Sequence, residues 1–567
     1  MTETERTSSF RLRGLALLAA GAMAFAACGG SSATPAPSSG GTTAPATEAP
    51  ATDAPATEAP ATAAAPTDAV FTYASHTQIV TDLDPATSYS NEVIAMHDIY
   101  ESLTRYDSVT KTVKPSLAES WTTSADGTEW TFKLRSGVSF HTGRAMDAAA
   151  AKAAIERTQT LGQGAGYIWG VVKSIDAVDA TTLKFTLSYP APLDLIASAN
   201  YAAYIYDTEA AGKGATEDAL VAWFKGGKDA GTGPYAISAY KPGDEFELTL
   251  DQYAGYWGGW DGAHYAQVQF RVVPEVTTAA QLVQAGDVSY VDRLTPQLTD
   301  SLRSDQNLKV VETPSFQNLV ALLNTASGPL ADLNVRQAVA KAFDGAGVAG
   351  ALGGSVVAAK GVIPQGLIGY NDSLTGTGLD IEGATTLLAK SGYGPGGKPL
   401  TITATIVSGD TDLQLVTTSL KSELAKLNIT LDVKAMEWQA QWDLAKSTDT
   451  AKRQDVFLMY WWPDYADPFS WFISLFHSED APNFNLAYYK NATMDKAIDG
   501  IQALTATNRD QASAQYVTMQ QQLIDDAVVV TPYVQNYQRV LDATVAGFVD
   551  NPAYAQVVFV YDLQPGS

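Results

Sequence analysis

Hydrophobic and polar positions alternate with period two at Trp130-Phe132-Leu134, Leu183-Phe185-Leu187 and Phe246-Leu248-Leu250, which predicts three half-buried strands. The spacing changes to a helical one at Leu413, Val416, Leu420, Leu424 and Leu427. Asn428 then stops that helix, and Ile429-Leu431-Val433 resumes strand alternation. The same helix-then-strand unit recurs. Thr277 to Ala285 ends at Gly286 and leads to Val288-Tyr290, and Gln511 to Ile524 leads to the apolar run Val528-Val529-Val530. Alternating units of this kind predict an α/β body with more than one sheet. After Val70 no second low-complexity linker interrupts the pattern, so its domains are expected to interleave rather than follow in tandem.

The first 69 residues read differently. Arg6, Arg11 and Arg13 precede an apolar stretch from Leu15 to Phe25 and the small residues Ala26 and Ala27, the three-part layout of an export signal over residues 1-27. Eleven apolar residues are too few to span a bilayer as a finished helix. Phe25-Ala26-Ala27-Cys28 resembles a lipobox, with Phe25 where Leu is usual, and that resemblance implies diacylglyceryl attachment at Cys28. Residues 28-69 are dominated by Ala, Pro, Thr, Ser and Gly, with the repeat Ala46-Thr47-Glu48-Ala49-Pro50 recurring to Pro60. Such a segment buries too little apolar area to fold and reads as a semi-rigid tether for a globular body.

Composition narrows the chemistry. The chain has 567 residues, 46% of them hydrophobic, enough for a large core and more than one domain. Its 36 Lys and Arg against 61 Asp and Glu give a net charge of -25, nearly all of it on the body. That field repels nucleic acid. Cys28 is the single cysteine, which excludes a disulfide framework, a four-cysteine zinc site and an iron-sulfur cluster. The five histidines stand apart in sequence, so no dedicated histidine metal site and no cofactor are expected.

Gly392-Tyr393-Gly394-Pro395-Gly396-Gly397-Lys398 has phosphate-loop spacing, but Pro399 stands at the hydroxyl position and a strand, not a helix, is expected next. His141 reads as a hydrogen-bonded turn residue, without an adjacent nucleophile or second histidine. The most unusual stretch runs from Phe457 to Pro468, a buried strand opening into Trp461-Trp462-Pro463-Asp464-Tyr465-Ala466-Asp467. Asp464 and Asp467 are too close along one loop to flank a scissile glycosidic bond. Asp467-Pro468 predicts a helix start, with Asp467 as N-cap and Pro468 at the first helical position. Asp464 has no such employment: it either pairs with a ligand cation beside the tryptophans or is a solvated turn aspartate. Consecutive strand residues point to opposite faces, so only one of Trp461 and Trp462 is expected to line a given cleft.

Several segments, in order, resemble one family. They are Leu83-Asp84-Pro85, Ile99-Tyr100-Glu101-Ser102-Leu103, Pro115 to Trp121, Phe132 to Gly143, Gly231-Thr232-Gly233-Pro234-Tyr235, Tyr253 to Gly258, Asn324-Thr325, Leu330 to Ala338 and the Trp461 to Pro468 loop. Together they resemble the peptide/nickel-type solute-binding proteins of ABC importers (bacterial extracellular solute-binding family 5) across nearly all of residues 70-567. The resemblance implies a bilobed, periplasmic-binding-protein-like α/β fold of type II with an extra domain, its two lobes joined by a hinge. Lobe I would comprise residues 70-102, 231-312 and 534-567, the extra domain 103-230 and lobe II 313-533.

It further implies a receptor, not an enzyme, that closes on its solute between the lobes. Asp464 sits where peptide-binding members hold the ligand's free α-ammonium, and the segment Thr87-Ser88-Tyr89-Ser90 would face the same cleft from the opposite lobe. Expected ligand-binding residues are therefore Asp464, Trp461, Trp462, Tyr89 and Ser90. The expected partners are short peptides or similar ammonium-bearing solutes, an ABC permease with its ATPase subunits, and the outer face of the cytoplasmic membrane through lipid on Cys28, with the receptor acting as a monomer. The aromatic pair also suits sugar rings, so an oligosaccharide is an alternative ligand, and a metal chelate another. A secreted hydrolase is a remote alternative, since no second carboxylate can be placed opposite Asp464.

Overall fold

The computed structural model describes residues 68–76, 78–80, 82–374 and 378–566. The export signal, Cys28 and the proline repeats of the tether lie outside the described residues. The strand-forming runs assemble into a twelve-stranded mixed sheet and a separate four-stranded antiparallel sheet. The large sheet has two parallel regions. In one, Val70–Ser75 lies between Gln267–Val272 and Tyr290–Val291, all parallel. In the other, Leu400–Val407 lies between Ile429–Met436 and Val456–Trp461, again parallel.

Two long antiparallel strands, Leu308–Leu323 and Tyr533–Asp542, join these regions. The first pairs Leu308 to Pro314 with Asp542 to Asn536, then pairs Asn318 to Leu323 with Trp461 to Val456. Its register shifts between Pro314 and Asn318. Pro314 brings no ladder N–H, and the Ser315 hydroxyl takes the Gln317 N–H at 2.9 Å instead. The ladder is thus interrupted at the one place where the strand passes from one region to the other.

The predicted alternation holds in the small sheet, where Trp130, Phe132, Leu134, Leu183, Phe185 and Leu187 are all buried. These residues pack with Ile155, Trp169 and Ile196 in a core of their own. The helix Thr411–Lys426 buries Leu413, Val416, Leu420 and Leu424 as its spacing predicts. Asn428 ends it in the left-handed region at φ 58°. Gly392 to Lys398 connects the helix Ile381–Lys390 to the strand Leu400–Val407, with no helix opening from it. His141 is a turn residue bonded to the Asp229 carboxylate and to the Gly233 carbonyl at 2.9 Å.

Phe246 departs from its predicted role. A bulge between Phe246 and Leu248 exposes Phe246 and turns Glu247 into the core. The Glu247 carboxylate accepts the Ile79 N–H at 2.9 Å and the Gln78 side chain at 3.1 Å. It thereby fixes the chain just before the Leu83-Asp84-Pro85 turn. A buried, bidentate ion pair then ties that turn to the small-sheet module: Arg157, on the helix Ala148–Leu161, reaches Asp84 at 2.8 and 2.6 Å.

Candidate ligand-binding site

A cavity of about 890 Å³ opens between the small-sheet module and the Val456–Trp461 region. Its size suits a ligand of drug or dipeptide dimensions. One wall carries Tyr167, Ile168, Tyr189 and Ile196; the other carries Trp438, Trp442, Trp461, Trp462 and Phe484, with Tyr89 at the edge.

The second wall is built by local sequence. The strand Val456–Trp461 buries Val456 to Met459, then gives way to the loop Trp462 to Pro468. Alternation ends with the strand at Trp461, so Trp462 is free to turn and both tryptophans line the cavity, contrary to the one-face expectation. Trp461 packs edge-on to Phe484 at 5.5 Å, Phe484 to Trp442 at 5.2 Å, and Trp442 lies 5.2 Å from Trp438. Trp438 and Trp442 sit one turn apart on the helix Trp438–Ala445. Tyr89, Tyr167 and Trp462 nevertheless remain 49%, 57% and 52% exposed. So much uncovered aromatic surface in one concavity marks a binding surface.

Asp464 lies where three segments meet. Tyr89 and Tyr167 line the cavity beside its carboxylate. Its backbone carbonyl accepts the Asn200 N–H at 3.3 Å. The residue's surface is only half-buried, yet its carboxyl is enclosed by these walls; desolvation holds its pKa above the usual aspartate value, opposed by the nearby tyrosine hydroxyls. Burial and the facing carboxylate push Tyr89 up to about 12.

Each tyrosine is held from behind. Glu92 accepts the Ser88 hydroxyl at 2.8 Å and the Tyr89 and Ser90 N–H groups at 3.0 and 2.9 Å, fixing the turn. Tyr167 stands on the short 3₁₀ turn Gly166–Val171, just after Gly164. Gly164 has φ +53° and passes so close to the chain that an added Cβ would come within 2.8 Å of the Thr87 carbonyl oxygen. That approach requires glycine.

Asp467 departs from its predicted role. The helix begins at Phe469 with Pro468 as its N-cap, and Asp467 caps from one residue further out. Its Oδ1 accepts the Phe469 N–H at 2.8 Å and the Tyr516 hydroxyl at 2.9 Å. Its Oδ2 is buried without a partner. Burial raises its pKa to about 6.

Of the residues expected at the site, Asp464, Trp461, Trp462 and Tyr89 line the cavity together. Ser90 does not; its N–H serves Glu92 and its carbonyl accepts the Tyr201 hydroxyl at 3.3 Å. Cys28 lies outside the described residues. Sequence reasoning missed Tyr167, Tyr189, Trp438, Trp442 and Phe484. Only Trp438 and Trp442 left a signal, their spacing directly after the strand Ile429–Met436. Tyr167 left none, because its place depends on how the small-sheet module meets the turn at Thr87.

Among the described residues lining the cavity there are three carboxylates, of Asp410, Asp464 and Asp467, and no Lys, Arg or His. Asp410 caps the helix Thr411–Lys426, accepting N–H groups at 3.0 and 2.9 Å. Of the three, Asp464 alone caps no helix.

Two parallel-stranded regions joined by two long strands are the architecture of a two-lobed binding protein, and the cavity opens between one of them and the small-sheet module. Structural neighbours agree. HbpA2 from Haemophilus parasuis matches with a TM-score of 0.77 at 20% identity, covering 88% of this chain and all of that one. The periplasmic binding protein DppA from Helicobacter pylori, in complex with the peptide STSA, matches with a TM-score of 0.70 at 20% identity, over 88% of this chain and 98% of its own. In sequence, the chain is 29% identical over 483 residues to the probable D,D-dipeptide-binding periplasmic protein DdpA of Escherichia coli, covering 84% of this chain and 90% of that protein.

Residues 112–483 match the model of the bacterial extracellular solute-binding proteins, family 5, middle region, and the chain belongs to that family. It is a family of transport binding proteins, not of enzymes. Among the described residues no helix is long and apolar enough to cross a membrane.

Proposed function

We propose that this protein is the extracytoplasmic receptor of an ABC importer, anchored by lipid on Cys28, which captures short peptides or similar ammonium-bearing solutes. In this reading residues 70-102, 231-312 and 534-567 form one lobe, 313-533 the other, and 103-230 an extra domain that walls the cleft. The interrupted ladder at Pro314 to Asn318 is the hinge, since a break in pairing concentrates backbone bending at a few residues. The receptor acts as a monomer and hands its solute to a permease.

One observation carries the reading: the Asp464 carboxylate is desolvated, lies beside Tyr89 and Tyr167, and is faced by no cation among the described lining residues. A carboxylate so placed gains most from a ligand ammonium, through a charge-assisted hydrogen bond of about 1.5 to 3 kcal/mol. The surrounding rings add cation–π attraction. The wall of tryptophans also supports the oligosaccharide alternative, in which Asp464 accepts from hydroxyls.

The test is mass spectrometry of the small molecules released by denaturing purified wild type and Asp464→Asn. Compounds with free amino groups, present in wild type and depleted in the variant, are the expected result. Sugars or metal chelates retained equally by both would overturn the ammonium reading.

A further inference from the structure

We infer that the part of the ligand enclosed by this cavity is an apolar ammonium ion carrying no carboxylate, so that the receptor prefers hydrophobic amines and peptide amides to zwitterionic dipeptides. The inference rests on the proposed role of Asp464 and narrows it. A free dipeptide places an ammonium and a carboxylate within one short molecule, and a cavity of about 890 Å³ encloses both ends. Nothing in the described lining neutralises the second end. Asp410, Asp464 and Asp467 supply only negative charge, and the remaining lining is predominantly aromatic and aliphatic.

Two cations on neighbouring elements are committed elsewhere. Arg509 makes a bidentate pair with Asp194 at 2.8 and 2.6 Å. Lys446 bonds the Asn483 side chain at 2.9 Å and lies over the Trp442 ring. Arg293 is exposed and stands outside the lining.

Two of the polar side chains in the cavity are engaged as well. The Gln502 amide donates to the Tyr465 hydroxyl at 3.3 Å, and the Ser470 hydroxyl accepts from Trp461 Nε1 at 3.4 Å. A ligand carboxylate brought here loses its water, meets like charge and gains no cation, each of which opposes binding. An ammonium on an aromatic body meets Asp464 at one end and ring faces along the rest. The chemical class that fits is an arylalkyl or aliphatic primary amine, or a short hydrophobic peptide amide.

The experiment is calorimetric titration of the full chain with three probes: Phe-Phe, Phe-Phe-amide and N-acetyl-Phe-Phe-amide. The amide is expected to bind about tenfold or more tighter than the free acid, and the acetylated amide to lose binding. A free acid that binds as tightly as the amide overturns this inference while leaving Asp464 as the ammonium anchor. An acetylated amide that binds as tightly as its parent overturns the ammonium reading itself. Failure of the amide to bind overturns the inference, since an apolar ammonium is all that it requires.

Discussion

Buried carboxylates of this protein differ in how they are compensated. Where the small-sheet module meets the rest of the chain, two are matched by a guanidinium: Asp84 by Arg157 at 2.6 Å and Asp194 by Arg509 at 2.6 Å. In the cleft, Asp464 lies beside Tyr89 and Tyr167 with no cation among the described lining residues. A desolvated carboxylate is costly unless paired, so the junction pairs read as structural and the Asp464 site as a place kept open for an external charge. The difference separates what assembles the cleft from what the cleft is for.

The strongest way to break the comparison is to unpair a junction carboxylate. Arg157→Met leaves Asp84 buried and uncompensated, with an expected loss of about 3 to 5 kcal/mol in unfolding free energy by denaturant titration. Ligand affinity should fall as well, because Asp84 anchors the turn that presents Tyr89. If Arg157→Met proves neutral, the junction pairs are not what assembles the cleft.

Asp467 supplies an intermediate case, since its partners are an N–H and a hydroxyl and burial raises its pKa from 3.8 to about 6. The folded protein therefore binds a proton there that the unfolded chain has released. Stability from this group is present below about pH 4 and is lost as pH rises to about 6, by an amount on the order of 3 kcal/mol. Asp467→Asn should remove that slope, and be at least as stable as wild type at neutral pH, in unfolding curves measured across the interval. An unchanged slope would mean the carboxyl is already compensated.

Acidification tests the cleft side. Because desolvation raises the Asp464 pKa, its ionised form is lost at a higher pH than for an ordinary aspartate while a ligand ammonium stays protonated. Ammonium affinity should therefore weaken on acidification earlier than a model aspartate would dictate, as read by titration in a pH series. Tyr167→Phe sharpens this, since it removes a nearby hydroxyl that favours the ionised form. The expected result is a loss of about two- to tenfold in affinity and an upward move of the pH at which binding fades. A variant with the wild-type profile would show that the hydroxyl does not act on the carboxylate.

Much of the scaffold was legible in the sequence because it rests on periodicity. Leu413 to Leu427 and Trp130 to Leu134 bury the faces that their spacing predicts. Phe246 was misread because alternation assumes an unbroken register, and the bulge exchanges its place with that of Glu247. Trp461 and Trp462 were misread for a related reason, since the strand ends between them. The two sides of the cleft differ further. Asp464 stands in a loop whose composition is conspicuous, whereas Tyr167 reaches it only through tertiary packing around Gly164 and Thr87, which no local pattern encodes.

The central claim, that Asp464 is an ionised carboxylate awaiting a ligand ammonium, is tested most directly by a thermodynamic cycle. Phe-Phe-amide and its N-acetyl derivative are titrated into wild type and Asp464→Asn. The account predicts a coupling of at least about 1.5 kcal/mol, with acetylation costing little once the carboxylate is gone. Equal losses on acetylation in both proteins would contradict it, because the ammonium would then be recognised somewhere other than at Asp464.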